Sequence, residues 1–126
     1  MKNFDLFLDL TRIKKPIGFM LLFWPCLWGL TLAFQFSNDN YVFLKHCLLF
    51  FGGAVLMRSA GCIVNDILDR KIDAMVDRTK SRPIASGKIS VQKSLMYVFF
   101  LCLCAFIILI QFNQNTVLLG LASMPF

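Results

Sequence analysis

"FGGAVLMRSAGCIVNDILDRKID", Phe51–Asp73, begins as chain suited to lipid and ends as a ladder of acids. Between Phe51 and Val64 the only charged residue is Arg58, and Gly52, Gly53, Ala54, Ser59, Ala60 and Gly61 give the run the small side chains that let membrane helices approach closely. Then Asn65, Asp66, Asp69 and Asp73 arrive in the spacing N-D-x-x-D-x-x-x-D. At ~100° per residue they fall at about 0°, 100°, 40° and 80° around a helix, so a continuous helix carries all four on one face. Aspartates that close repel one another, and near a membrane surface the repulsion is only partly screened. A cation is expected to offset them.

Two sources for that cation stay open. The window Gly61–Ser90 holds four Asp but also six Lys or Arg, so Arg70, Lys71, Arg78, Lys80 and Arg82 can neutralise the acids and leave an ordinary solvated loop. The other source is Mg²⁺, which prefers carboxylate, amide and water oxygens and commonly shares its shell with substrate phosphates. Acids and bases together favour a metal-bridged diphosphate whose outer oxygens are contacted by Arg and Lys. Because the acids begin where an apolar span ends, such a site would hold a diphosphate at the interface with its tail in lipid, the shape of an isoprenyl diphosphate.

The rest of the chain supports a membrane setting. Its 126 residues are 58% hydrophobic with mean hydropathy +0.70, above the roughly 45–50% apolar content of soluble domains. Apolar runs at 17–36, 41–64 and 94–112 approach or exceed the ~20 residues that a bilayer crossing needs, and a fourth starts near Thr116 and runs to 126. The expectation is an all-α, polytopic membrane helix bundle with about three complete spans and part of a fourth. Residues 1–16 read as an interfacial segment, with Phe4, Leu6, Phe7, Leu8, Leu10 and Ile13 alternating with Asp5, Asp9 and Arg12, and with Pro16 at the start of the first span. Ile17–Phe36 is longer than the apolar core of a signal peptide and no small-residue cleavage site follows it.

Net charge +6 does not indicate nucleic acid, because the basic residues are placed by topology. Lys2, Arg12, Lys14 and Lys15 precede the first span and the basic loop 66–93 follows the second, whereas 37–40 and 113–115 hold no Lys or Arg. The positive-inside rule puts the N-terminus and loop 66–93 in the cytoplasm. Topology and lipid-headgroup attraction alone are the plainer account of that loop. Cys26, Cys47, Cys62, Cys102 and Cys104 show no metal-ligand spacing and read as small packing residues. His46 lies near the start of the second span, away from the acids, and reads as interfacial.

"MRSAGCIV", "NDILDRKIDAMVDRTKS" and "RPIASGKIS", together with "RIKKPIGFMLLFWPCLWGL" in the first span, resemble the UbiA-type intramembrane prenyltransferases, most closely the branch that acts on 4-hydroxybenzoate in ubiquinone synthesis. The resemblance implies a helical bundle open to the cytoplasmic side, in which Asn65, Asp66, Asp69 and Asp73 bind Mg²⁺ and polyprenyl diphosphate and serve catalysis. It further implies that Arg78, Lys80 and Arg82 bind diphosphate or close the loop, and that Arg12 and Arg58 contact diphosphate or the aromatic carboxylate. The implied reaction is transfer of a polyprenyl group to the ring carbon ortho to the hydroxyl of the aromatic acid.

Members of that group carry a second Asp-rich motif in their C-terminal half, and nothing in "LLGLASMPF" or before it resembles one. The expectation is therefore a segment of a longer enzyme, or a truncated non-catalytic chain that needs the missing half or a complementing chain. A different aromatic acceptor, or a small transporter subunit whose aspartates line a cation path, are the remaining alternatives. No Arg-rich, Ser-rich leader precedes Asp5 and Asp9, which points to a bacterial plasma membrane, with the mitochondrial inner membrane as the alternative.

Overall fold

The computed structural model describes residues 2–37 and 39–123. Among them it holds six helices and no strand: α1 (Lys2–Thr11), α2 (Ile17–Ser37), α3 (Asn40–Leu68), α4 (Arg70–Met75), α5 (Val91–Leu109) and α6 (Gln114–Ala122). Three of these, α2, α3 and α5, are long and apolar enough to cross a membrane, with mean hydropathies of 1.8, 1.9 and 2.0. The all-α membrane bundle expected from composition is the fold observed. Asn38 of the short turn and 124–126 of the fourth run lie outside the described residues.

Local chemistry sets the helix ends. Asp39 caps α3 by accepting from the backbone N–H groups of Tyr41 and Val42, Ser90 caps α5 through Lys93, and Asn113 caps α6 through Thr116 at 2.8 Å. The Ser90 cap starts α5 at Val91, three residues ahead of the apolar run at 94. At its other end α3 continues to Leu68, past the acids at which loop 66–93 was expected to begin. The helix tolerates Asp66 there because arginines neutralise it. Pro16 directly precedes α2, and α2 runs on through Pro25.

The central element is α3, against which α1, α2 and α5 all pack. Its small residues make this possible: Ala54, Ser59, Ala60, Cys62 and Ile63 are buried, and a Cβ on Gly52 would lie 3.3 Å from Ile108 Cδ1 of α5. Gly61, by contrast, has no neighbour in reach among the described residues. Most of the apolar surface faces outward, as at Leu21, Trp28, Leu48, Met96 and Phe99, which is the arrangement a lipid solvent rewards.

The buried core sits at one end of the bundle, beside the acids. Leu10 of α1, Ala60 and Ile63 of α3, Ile84 and Ile89 of the segment before α5, and Leu101 of α5 form one cluster. Phe7 meets Tyr97 edge to face at 5.4 Å, so α1 is held against the bundle by its inner side while Phe4, Asp5 and Asp9 stay exposed. Residues 76–90 are correspondingly not a solvated strap. Consecutive turns close through Thr79 N–H to Val76 O, Ser86 N–H to Arg82 O and Ile89 N–H to Pro83 O, and Gly87 takes φ +72°, a conformation that suits glycine.

Candidate functional site

Asn65, Asp66, Asp69 and Asp73 do not share one environment. The helix is interrupted at Asp69, where φ −84° and ψ 0° separate α3 from α4 while the backbone bonds Asp69 N–H to Asn65 O and Asp73 N–H to Asp69 O persist. The four residues then divide into two pairs. Asn65 is exposed and Asp69 half-buried, and the Asn65 amide donates to Asp69 Oδ2 at 3.0 Å. Asp66 and Asp73 turn inward and are buried, at 2% and 7% exposure.

Burying a carboxylate is costly unless it is paired and hydrogen-bonded, and both of these are. Arg12 forms an ion pair with Asp66. Arg82 Nη1 reaches Asp66 at 3.3 Å and Asp73 at 2.6 Å, bridging the two. Thr79, itself buried, donates its hydroxyl to the Asp73 backbone carbonyl at 3.1 Å. The internal source of neutralising charge is thus realised by Arg12 and Arg82, not by the adjacent Arg70 and Lys71, which are exposed.

The remaining basic residues lie differently. Lys80 pairs with Asp77 at 2.7 Å on the exposed side of the turn segment. Arg78 is exposed and makes no ion pair among the described residues. Arg58 is also exposed and makes no ion pair among them. Its side chain lies across Gly18 of α2, where a Cβ would come within 2.7 Å of Nε.

Among the described residues no three His, Cys, Asp or Glu side chains converge on a point. Asn65 and Asp69 nevertheless present a neighbouring amide oxygen and carboxylate with oxygens not committed to protein donors. Two such oxygens fit Mg²⁺, which is usually held by one or two carboxylates and completes its shell with water and substrate phosphates. Asp66 and Asp73 fit less well, because both are buried and each already has one oxygen paired with arginine, whose positive charge opposes a second cation.

At the far end of the bundle an apolar groove of about 490 Å³ lies between α2, α3 and the start of α6. It contains His46, whose Nδ1 lies 2.7 Å from Val42 O and whose ring is 5.4 Å from that of Phe112. Twenty residues at ~1.5 Å each put His46 about 30 Å from Asp66 along α3. All five cysteines are free.

The sequence pointed to Asn65, the three aspartates and the arginines, but not to Thr79, Ile84 or Ile89, which seat the turn segment against the acids. The apolar residues at 84 and 89 inside an otherwise charged stretch were the available signal.

Residues 22–126 match the UbiA prenyltransferase family. Over 123 residues the chain is 44% identical to a 4-hydroxybenzoate octaprenyltransferase of Nitrosomonas eutropha, covering 98% of this chain and 42% of that protein. It is 44% identical over 117 residues to a protein of the same description in Hydrogenovibrio crunogenus, covering 93% and 40%. A mitochondrial 4-hydroxybenzoate polyprenyltransferase of Schizosaccharomyces pombe is 40% identical over 124 residues, covering 98% and 35%. The chain thus spans about two-fifths of the length of the curated relatives it matches. No solved structure matches it with significance.

Proposed function

Since this chain belongs to the UbiA prenyltransferase family, we propose that it supplies one side of an intramembrane site that transfers a polyprenyl group from its diphosphate to 4-hydroxybenzoate, in ubiquinone synthesis. The observation that carries this reading is the Asn65–Asp69 pair, an open set of hard oxygens at the end of a membrane-length helix, with unpaired Arg58 and Arg78 on the same chain. The other side of the site belongs to the part of the relatives' length that this chain does not span, or to a complementing chain.

In this reading Asn65 and Asp69 hold Mg²⁺. When bound, the ion supplies electrostatic stabilisation to the diphosphate as it leaves. Arg58 and Arg78, which make no ion pair among the described residues, contact phosphate oxygens. Arg12 and Arg82 are engaged by the buried aspartates, and Lys80 by Asp77, so their first role is to shape the site. The apolar faces of α2, α3 and α5 keep the isoprenoid tail in lipid and water away from the reacting allylic carbon, which water would otherwise capture. His46 is too far along α3 to take the ring proton. By the positive-inside rule the acidic end faces the cytoplasm, in the plasma membrane of a bacterial cell.

The test is Mg²⁺-dependent incorporation of labelled 4-hydroxybenzoate into lipid by native membranes that carry the protein. Membranes with the wild-type chain are expected to incorporate label, and membranes with Asp69→Asn are not. Equal incorporation by the two would overturn the reading.

A further inference from the structure

Arg12, Asp66, Asp73 and Arg82 form a closed set of two positive and two negative charges. The set joins four parts of the chain: the turn after α1, the last turn of α3, α4, and the 76–90 segment. Both carboxylates are buried, while the two arginine side chains keep 30% and 27% exposure. The arginines therefore neutralise the buried acids while keeping part of their own side chains in contact with solvent.

The backbone is arranged to put them there. Arg12 has φ +53°, the only positive φ at a non-glycine among the described residues, and a side chain of this size enters that region at a cost. Such strain persists where surrounding contacts over-determine the residue. Here Thr11 is buried one position earlier and the Arg12 side chain closes onto Asp66. Arg82 precedes Pro83, which restricts its backbone to extended conformations, and the following Ile84 is in the core cluster. The Thr79 hydroxyl on Asp73 O fastens the same segment from the other side.

We infer that Asp66 and Asp73 are not ligands of the metal but anchors of an arginine clamp, and that Arg12 and Arg82 are positioning residues that hold α1 and the 76–90 segment across the site. This rests on the reading of Asn65 and Asp69 as the metal-holding pair, and it separates four acidic-motif positions into two duties. The clamp sets the position of Arg78, because Arg78 is carried on the segment that Arg82 fastens. It also prevents a metal from settling on the inward carboxylates, which leaves the outward pair as the one open to a diphosphate.

The test uses native membranes carrying Arg82→Gln, Arg82→Lys, Asp66→Asn and Asp69→Asn variants, each with two measurements. The first is the rate of trypsin cleavage after Arg78, Lys80 and Lys88, which needs no substrate. Removing either charge of the pair unfastens the segment, so Arg82→Gln and Asp66→Asn are expected to speed cleavage by roughly tenfold or more, with Arg82→Lys near wild type and Asp69→Asn unchanged. The second is the Mg²⁺ concentration that half-saturates prenyl transfer. Asp66→Asn is expected to raise the KM for the prenyl diphosphate while leaving the Mg²⁺ requirement as in wild type. Arg82→Gln with unchanged cleavage would overturn the clamp, as would a Mg²⁺ requirement raised by Asp66→Asn. Loss of transfer in wild-type membranes would instead overturn the proposed activity, and the cleavage rates would still decide the clamp.

Discussion

Arg12 and Asp66 stand 54 positions apart in the chain and meet as a partly buried ion pair that ties the turn after α1 to the last turn of α3. Asp66 is the partner that cannot be spared, since Arg82 reaches it as well. Asp66→Ala leaves two guanidinium groups sharing Asp73 alone. Removing one partner of a buried pair costs ~3–5 kcal/mol, and the partial exposure of both arginines lowers this to about 2 kcal/mol. Thermal unfolding of the detergent-solubilised protein is expected to show the drop, and Asp9→Ala, whose partner Lys14 is on the surface, is expected to show almost none.

Gly52 of α3 faces Ile108 of α5. A Cβ there would sit 3.3 Å from Ile108 Cδ1, so Gly52→Val overpacks the contact. The expected loss is ~1–3 kcal/mol. Ile108→Ala in the same chain is expected to recover part of it, and a double-mutant cycle on unfolding midpoints measures the coupling.

Gly18 makes room for a side chain and not for a backbone. A Cβ at this position would fall 2.7 Å from Arg58 Nε, and the flexible arginine moves aside more cheaply than a helix does. Gly18→Ala is expected to alter stability by less than about 1 kcal/mol. The same substitution displaces Arg58, so the KM for prenyl diphosphate is expected to rise with kcat little changed. Steady-state kinetics in native membranes separate the two.

Ile84 anchors the 76–90 segment in the core cluster at 6% exposure. Ile84→Ala opens a cavity under the clamp and is expected to cost ~2–5 kcal/mol. Because the loss is local to the segment, hydrogen exchange of its amides should quicken before α3 and α5 respond.

Asp69→Asn keeps the shape of the Asn65 contact and removes one charge. It is expected to lower Mg²⁺-dependent transfer by on the order of a hundredfold or more, with the protein still inserted in the membrane. Quantitative extraction from washed membranes checks insertion independently of activity.

The helical membrane fold was legible without coordinates, because burial in lipid imposes a length and composition that can be counted along the chain. Ile17–Phe36 and the small residues after Gly52 announced α2 and the α3 interface, and Ser90 and Asn113 were caps that the apolar runs alone did not locate. The N-D-x-x-D-x-x-x-D spacing likewise identified the acidic end of α3, and together with "MRSAGCIV" and "RPIASGKIS" it carried the resemblance to the family to which the chain belongs. What the spacing left open was which acids face inward. The wheel sets Asn65 and Asp69 at about 0° and 40° and Asp73 and Asp66 at about 80° and 100°, which matches the observed pairs, but an angle does not say which edge of the arc packs against the bundle. The partners of Asp66 come from position 12 and position 82, and no local periodicity encodes contacts at such separations. Tertiary packing of α1 and of Ile84 and Ile89 brought those arginines to the acids, so the chain's sequence determined where charge lies and only the folded structure decided which charges neutralise one another.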